Sequence, residues 1–262
     1  MNLIKKIQEN VFRYQLFERR ASAKGGFASG GKIVVGCSGG PDSVCLLDIL
    51  RKLKDKYGLE IVVAHVNYGL RGKDSELDEK LVSNLAKKYS LPLETKKIPN
   101  TKYQIPNTIS EDNLRKIRYA FFEQTRKKYK ADAIAVGHNL NDQAETVLMR
   151  ILRGTGLRGL SAIKFRNEKI IRPLLNVPRK EIMAYLRRNK LPFRTDKTNL
   201  GTDFTRNKIR NKFLPYIVKD YNPNIEEVLY KLSQSAADDY DFIGKYSAEW
   251  LKANKSLRVS KL

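Results

Sequence analysis

The six residues Ser38-Gly39-Gly40-Pro41-Asp42-Ser43 concentrate more chemistry than any other stretch of the chain. Two hydroxyls flank two glycines. The glycines predict positive φ at both positions, with consecutive N–H groups turned inward. A helix following such a turn completes an oxyanion cradle, because its first amides have no partner within the helix. Pro41 suits the first helical turn, where a missing N–H costs nothing. Asp42 does not fit a bare anion site. A carboxylate beside phosphate is repulsive unless a cation lies between them, so Asp42 points to Mg²⁺. The spacing differs from the Gly-x-x-x-x-Gly-Lys-Ser/Thr phosphate loop.

Four further clusters could join this turn. Ala64-His65-Val66-Asn67-Tyr68-Gly69-Leu70-Arg71-Gly72 places an imidazole, an amide and a guanidinium at the end of an apolar run. His65 could bond a nucleotide base or ribose, or be a hydrogen-bonded structural histidine. Arg115 and Arg118 are three apart and share a helix face, where they could clamp a phosphate or form a solvated basic surface. His138, Asp142 and Glu145 follow one another at offsets of four and three. One imidazole and two carboxylates can hold a metal, bind an ammonium or accept a proton, while acids near a helix start also serve as ordinary dipole partners. Beyond Thr195-Asp196-Lys197-Thr198-Asn199, Arg206 and Arg210 are four apart and, with Lys208 and Lys212, form a basic strip suited to RNA backbone.

Alternating strand and helix signals position these groups. Strands are expected at Ile33–Cys37, Ile61–Val66, Leu93–Lys97, Ala133–Val136 and near Ile170–Ile171. Helices are expected at Asp42–Lys56, Ser75–Tyr89, Ile109–Tyr129, Asp142–Leu152 and Arg179–Lys190, with one or two more over residues 223–250. The alternation predicts an α/β fold with a doubly wound, mainly parallel five-stranded sheet and a small helical C-terminal region. In such sheets ligands sit beyond the carboxyl ends of the strands, at the switch point. The turn, His65–Asn67 and Gly137–Asn141 all fall at strand ends. The expected organisation is an amphipathic helix and glycine-rich flexible linker over 1–30, a catalytic domain over 31–215 and a helical extension over 216–262.

The 262 residues carry a formal net charge of +23, which favours a polyanionic partner, most simply nucleic acid. Residues 161–220 hold 16 basic and 5 acidic residues, so nearly half the excess lies in under a quarter of the chain. The longest apolar runs fall well short of the ~18 residues of a membrane span, and the charged N-terminal stretch lacks a signal-peptide core, so a cytoplasmic protein with no membrane association is expected. Two cysteines, Cys37 and Cys45, disfavour a zinc ribbon, an iron–sulfur cluster and a disulfide framework.

The turn resembles the signature of the PP-loop ATP pyrophosphatases, which split ATP between its α and β phosphates. Taken with the other clusters, with Ile171-Arg172-Pro173-Leu174-Leu175 and with Phe213-Leu214-Pro215, it is similar to the tRNA(Ile)-lysidine synthetase family from about residue 31 to 222. That resemblance implies ATP and Mg²⁺ as cofactors. Its substrates would be L-lysine and a tRNA(Ile) with anticodon CAU, whose wobble cytidine becomes lysidine. Ser38, Gly39, Gly40, Pro41, Asp42 and Ser43 would hold ATP phosphates, Asp42 and Glu145 would sit at the metal, Asp142 and His138 would address the lysine, and Arg206 the reaction centre or tRNA. His65, Arg115 and Arg118 join the nucleotide-contacting candidates; homodimerisation is left open. Competing readings are a PP-loop tRNA thiolase, a PP-loop amidating ligase for a small molecule, and a non-enzymatic RNA-binding module.

Overall fold

The computed structural model describes residues 2–17, 31–98, 111–195 and 205–254. Most of the expected linker and the 196–204 segment lie outside the described residues. The chain divides into two compact units, residues 1–139 with 165–196, and residues 140–164 with 197–262.

The first unit contains α1 (Leu3–Arg13), β1 (Lys32–Gly36), α2 (Pro41–Tyr57), β2 (Glu60–Asn67), α3 (Lys73–Lys88), β3 (Leu93–Lys97), α4 (Glu111–Lys128) and β4 (Ala133–Ala135). It resumes with β5 (Arg166–Asn167), β6 (Ile170–Ile171) and α7 (Arg179–Arg188). The sheet order is β3-β2-β1-β4-β6-β5. All neighbours pair in parallel except β5, which runs antiparallel to β6. The doubly wound parallel sheet is therefore as expected, with six strands rather than five. The extra edge strand is two residues long, joined to β6 by a tight turn with Glu168 at positive φ, and too short for any periodicity to announce it.

β1 and β2 are buried along nearly their whole length because helices cover both faces of a parallel sheet. Phe121 and Phe122 of α4 pack on Val34, Val62, Ala64 and Ile134. α1 packs into the first unit: Ile7 is fully buried, and Asn10 donates to the Pro173 carbonyl at 2.9 Å.

Asp48 supplies the polar joint of this unit. It lies on the buried side of α2 and is 2% exposed. It accepts hydrogen bonds from Tyr185 of α7 at 2.6 Å and from Tyr89 at 3.0 Å, and pairs with Lys52 at 2.9 Å. Burial alone would raise its pKa; the bonds from Tyr185, Lys52 and Tyr89 outweigh that and hold it below the usual carboxylate range.

The second unit contains α5 (Leu140–Leu152), α6 (Leu157–Leu160), α8 (Thr205–Lys208), a π-helical turn at Ile209–Phe213, α9 (Leu214–Asp220) and α10 (Ile225–Ala253). The 223–250 region is thus a single helix of 29 residues. Ala144, Val147 and Leu148 of α5 pack with Ile209, Leu214 and Leu229. Gln143, fully buried, is satisfied by the Ser233 hydroxyl at 2.8 Å, the Ile163 carbonyl at 3.1 Å and the Ile163 amide at 2.9 Å.

Tyr185→Phe removes one bond to a buried carboxylate and should cost about 1.5–3 kcal/mol. A carboxylate whose folded pKa is depressed contributes stability above its unfolded pKa, lost as pH falls through the folded value. Thermal melts from pH 7 to pH 2 should show the variant less stable at neutral pH, and the gap closing as Asp48 becomes protonated.

Candidate functional site

Strand order reverses between β1 and β4, and the phosphate-type turn leaves β1 at that reversal. Cys37 ends the strand, its N–H bonded to the Ala64 carbonyl at 2.9 Å. Gly39 follows at φ 85°, a conformation that favours glycine. Gly40 departs from expectation: it is extended, at φ −74° and ψ 164°, because it serves as the N-cap of α2, where β-region backbone is the rule. Pro41 takes the first helical position, and Gly40, as the N-cap, offers no side chain to the first amides of α2. Ser43 ties the turn together. Its hydroxyl accepts the Ser38 N–H at 3.1 Å and donates to the Gly40 carbonyl at 3.0 Å. Ser38 itself is exposed.

Asp42 is partly exposed and held from two sides. Asn139, just beyond β4, donates to one carboxylate oxygen at 3.0 Å, and Arg179 at the start of α7 donates to the other at 3.2 Å. Neither partner was apparent from the sequence, because each lies roughly a hundred residues or more from Asp42. Gly137 allows this approach: a Cβ there would stand 3.1–3.2 Å from the Asp42–Ser43 peptide, with little room to give.

His65 is buried, with Nδ1 2.9 Å from the Cys37 carbonyl that precedes the turn. Burial lowers its pKa, more than offsetting the Cys37 bond and the nearby Glu79 and Asp78. The ring is therefore neutral at pH 7, with Nδ1–H donating to Cys37 and Nε2 left as an acceptor. Arg115 and Arg118 flank the Tyr119 ring, 4.8 and 5.7 Å from its centroid. His138 precedes α5 and lies in the first unit, so helical phase does not relate it to Asp142 and Glu145.

Asp142 and Glu145 share a face of α5 in the second unit, where Arg206 and Arg210 meet both. Arg206 Nε donates to Glu145 at 2.8 Å and its terminal nitrogen to Asp142 at 3.1 Å. Arg210 donates to Glu145 through Nε, and through its terminal nitrogen to Asp142 at 3.0 Å and Glu145 at 2.8 Å. Glu145 is 2% exposed in its side chain. Burial works against the charge on Arg206, yet Asp142 and Glu145 raise its pKa overall. The two arginines expected to line an RNA strip thus face carboxylates. The sequence carried the i,i+4 and i,i+3 spacings of both pairs, but not that they would meet.

Both thiols are buried, and burial pushes both upward in pKa, so neither offers a reactive thiolate. Among the described residues no group of three or more His, Cys, Asp or Glu side chains gathers into a metal shell, and no helix is long and apolar enough to cross a membrane.

Arg206→Ala should destabilise the second unit by about 1.5–3 kcal/mol, because a nearly buried carboxylate loses one of its two arginine partners. Adding Glu145→Gln should recover part of that loss. Chemical denaturation followed by circular dichroism would measure both; no rescue in the double variant would contradict the pairing.

Residues 8–217 match a family profile described as a PP-loop domain. Over 218 residues the chain is 47% identical to a protein named tRNA(Ile)-lysidine synthase from Clostridioides difficile, covering 82% of this chain and 47% of the relative. Proteins of the same name from Caldanaerobacter subterraneus and Thermosipho africanus are 41% and 37% identical, covering 92% and 93% of this chain and 50% and 54% of theirs. The chain spans about half the length of the curated relatives it matches. A solved structure of a U34-tRNA thiolase, NcsA from Methanococcus maripaludis with its [4Fe-4S] cluster, shares the fold at a TM-score of 0.68 and 18% identity, over 89% of this chain and 76% of that one. Because the profile match runs through the turn, strands β1 to β4 and the Arg206–Arg210 segment alike, the chain belongs to the PP-loop domain family.

Proposed function

We propose that the chain uses ATP to activate the wobble cytidine of a tRNA(Ile) with anticodon CAU and ligates L-lysine to C2 of that base. The observation that carries this reading is the Ser38–Ser43 turn at the start of α2, in a chain 47% identical to a tRNA(Ile)-lysidine synthase. The C2 oxygen of cytidine is a poor leaving group. Its attack on the α-phosphorus of ATP forms a P–O bond and expels pyrophosphate. The lysine ε-amine then forms a C–N bond at C2 and AMP departs with the oxygen.

The amides of the turn and of the first turn of α2 suit the phosphate oxygens, where they would stabilise charge developing on the leaving pyrophosphate. Arg179, beside Asp42, is a further cation within the same unit. Asp42 fits a Mg²⁺ role. It is a partly exposed carboxylate next to the cradle, and it would hold Mg²⁺ there by exchanging its bond to Arg179. Bound Mg²⁺ would neutralise phosphate charge. Glu145, the second metal candidate, would have to exchange an arginine partner before it could ligate. The side-chain ammonium of free lysine, which titrates near ~10.4 in water, must lose a proton before the amine can attack. His138 and Asp142 are the candidate acceptors, and Asp142, like Glu145, would have to exchange an arginine partner before it could take the lysine's proton or charge. A cytoplasmic location fits a tRNA substrate.

The thiolase reading draws support from the shared fold alone. Two buried, protonated cysteines beside the turn give no sulfur carrier and no cluster ligand set.

Asp42→Asn should abolish AMP release in the presence of tRNA and lysine while leaving the circular dichroism spectrum unchanged. Wild-type turnover in that variant would remove the metal role. Asp142→Asn should raise the KM for L-lysine at least about tenfold while pyrophosphate release from ATP in the presence of tRNA persists. An unchanged KM, measured as ligated tRNA at varied lysine, would overturn the assignment of Asp142.

A further inference from the structure

The Gly39–Gly40 peptide is the most freely rotating part of the cradle, since neither residue has a side chain to restrict it. Its orientation decides whether the cradle binds anions. In a trans peptide the carbonyl and the following N–H point in opposite directions. Whatever holds the Gly39 carbonyl therefore aims the Gly40 N–H. That holder is the backbone N–H of Arg194, which donates to the Gly39 carbonyl at 3.0 Å. On the other side the Gly40 N–H makes only a 3.4 Å contact with the Ser38 hydroxyl, so it is available to a stronger acceptor.

Arg194 is in turn fixed by its side chain. Its Nε donates to Asp78 at 2.7 Å, and a terminal nitrogen pairs with Asp74, one turn earlier on α3. Asp78 is 7% exposed and is shared with Arg71, so its position is set from both sides. α3 also reaches the turn directly: the Asp78 carbonyl lies 3.5 Å from where a Cβ on Gly39 would stand. A planar guanidinium gripping two carboxylates is a rigid connection, which a single-point ammonium cannot reproduce.

We propose that Arg194 is a positioning residue for the phosphate cradle: its fork on Asp74 and Asp78 locks its own backbone N–H onto Gly39, and so turns the Gly40 N–H toward the nucleotide. The proposal rests on the reading of Ser38–Ser43 as an ATP phosphate site. Arg194 lies outside every motif that marks that site, and it acts through the backbone rather than by touching the phosphates.

The test is calorimetric titration of the 262-residue chain with Mg-ATP, alongside amide hydrogen exchange over residues 38–43 and thermal melts. Arg194→Ala should weaken Mg-ATP binding about tenfold, the loss of roughly one charge-assisted hydrogen bond. Exchange in the turn should accelerate while α2 beyond its first turn stays protected. Arg194→Lys should recover only part of the affinity. Asp74→Asn, at an exposed position, should weaken binding about two- to threefold and keeps the test open should Arg194→Ala fail to fold. Wild-type affinity and wild-type exchange in the folded variants would overturn the proposal. So would a lower melting temperature with affinity and local exchange unchanged well below the melt, which is what a merely structural ion pair predicts. Failure of the wild-type chain to bind Mg-ATP would instead overturn the phosphate-site reading itself.

Discussion

A parallel sheet buried on both faces leaves its polar chemistry few places to go. β1, β2 and β4 are buried along nearly their whole length, and α4 and its neighbours cover them. Polar groups can gather only where the strands end, and the best opening is where strand order reverses, between β1 and β4. The first unit is arranged around that constraint. The turn leaves β1 there, Gly137 lets β4's exit pass within van der Waals contact of α2, and Asn139 and Arg179 converge on Asp42. His65, one strand over, secures the carbonyl from which the turn departs. Replacing that sheet with a half-exposed one would dilute the site, because polar side chains could then settle anywhere along the strands.

The same low-dielectric surroundings explain why the acids of this basic protein are so consistently bracketed by cations. A carboxylate taken out of water must be paired, hydrogen-bonded or neutralised. Asp48 meets Lys52 and two tyrosine hydroxyls; Asp78 meets Arg71 and Arg194; Asp142 and Glu145 meet Arg206 and Arg210. The charge excess over residues 161–220 is therefore less available to a partner than its count suggests. Arg179, Arg194, Arg206 and Arg210 all lie in that interval, and each faces a carboxylate.

Elements whose signal is local were legible in the sequence. The β1 and β2 runs, the helical spacing of Val44, Leu46, Leu47 and Ile49, and the Gly-Gly-Pro turn all act within a few residues, so pattern alone locates them. β5 was not legible because two residues hold no period, and the π-helical turn at Ile209–Phe213 was not because its Arg-Asn-Lys run has little apolar rhythm. Both glycines of the turn were expected at positive φ, yet only Gly39 adopts it. The N-cap geometry of α2 governs Gly40 instead, and that depends on where the helix starts rather than on residue type. The partners of Asp42 and the meeting of Arg206 with Glu145 span 61 to 137 residues of chain, distances over which side-chain type says nothing about contact.

The chain passes between its two units at residues 139–140, 164–165 and 196–197. Two of these crossings leave the first unit from residues tied to the phosphate turn. Asn139, the last residue before the first crossing, bonds Asp42. Arg194, two residues before the last one, bonds Gly39. On the far side, α5 opens at once with Asp142 and Glu145, and the segment after residue 204 carries Arg206 and Arg210. The residues that hold the turn, Asn139 and Arg194, are thus also the ones from which the chain departs the first unit.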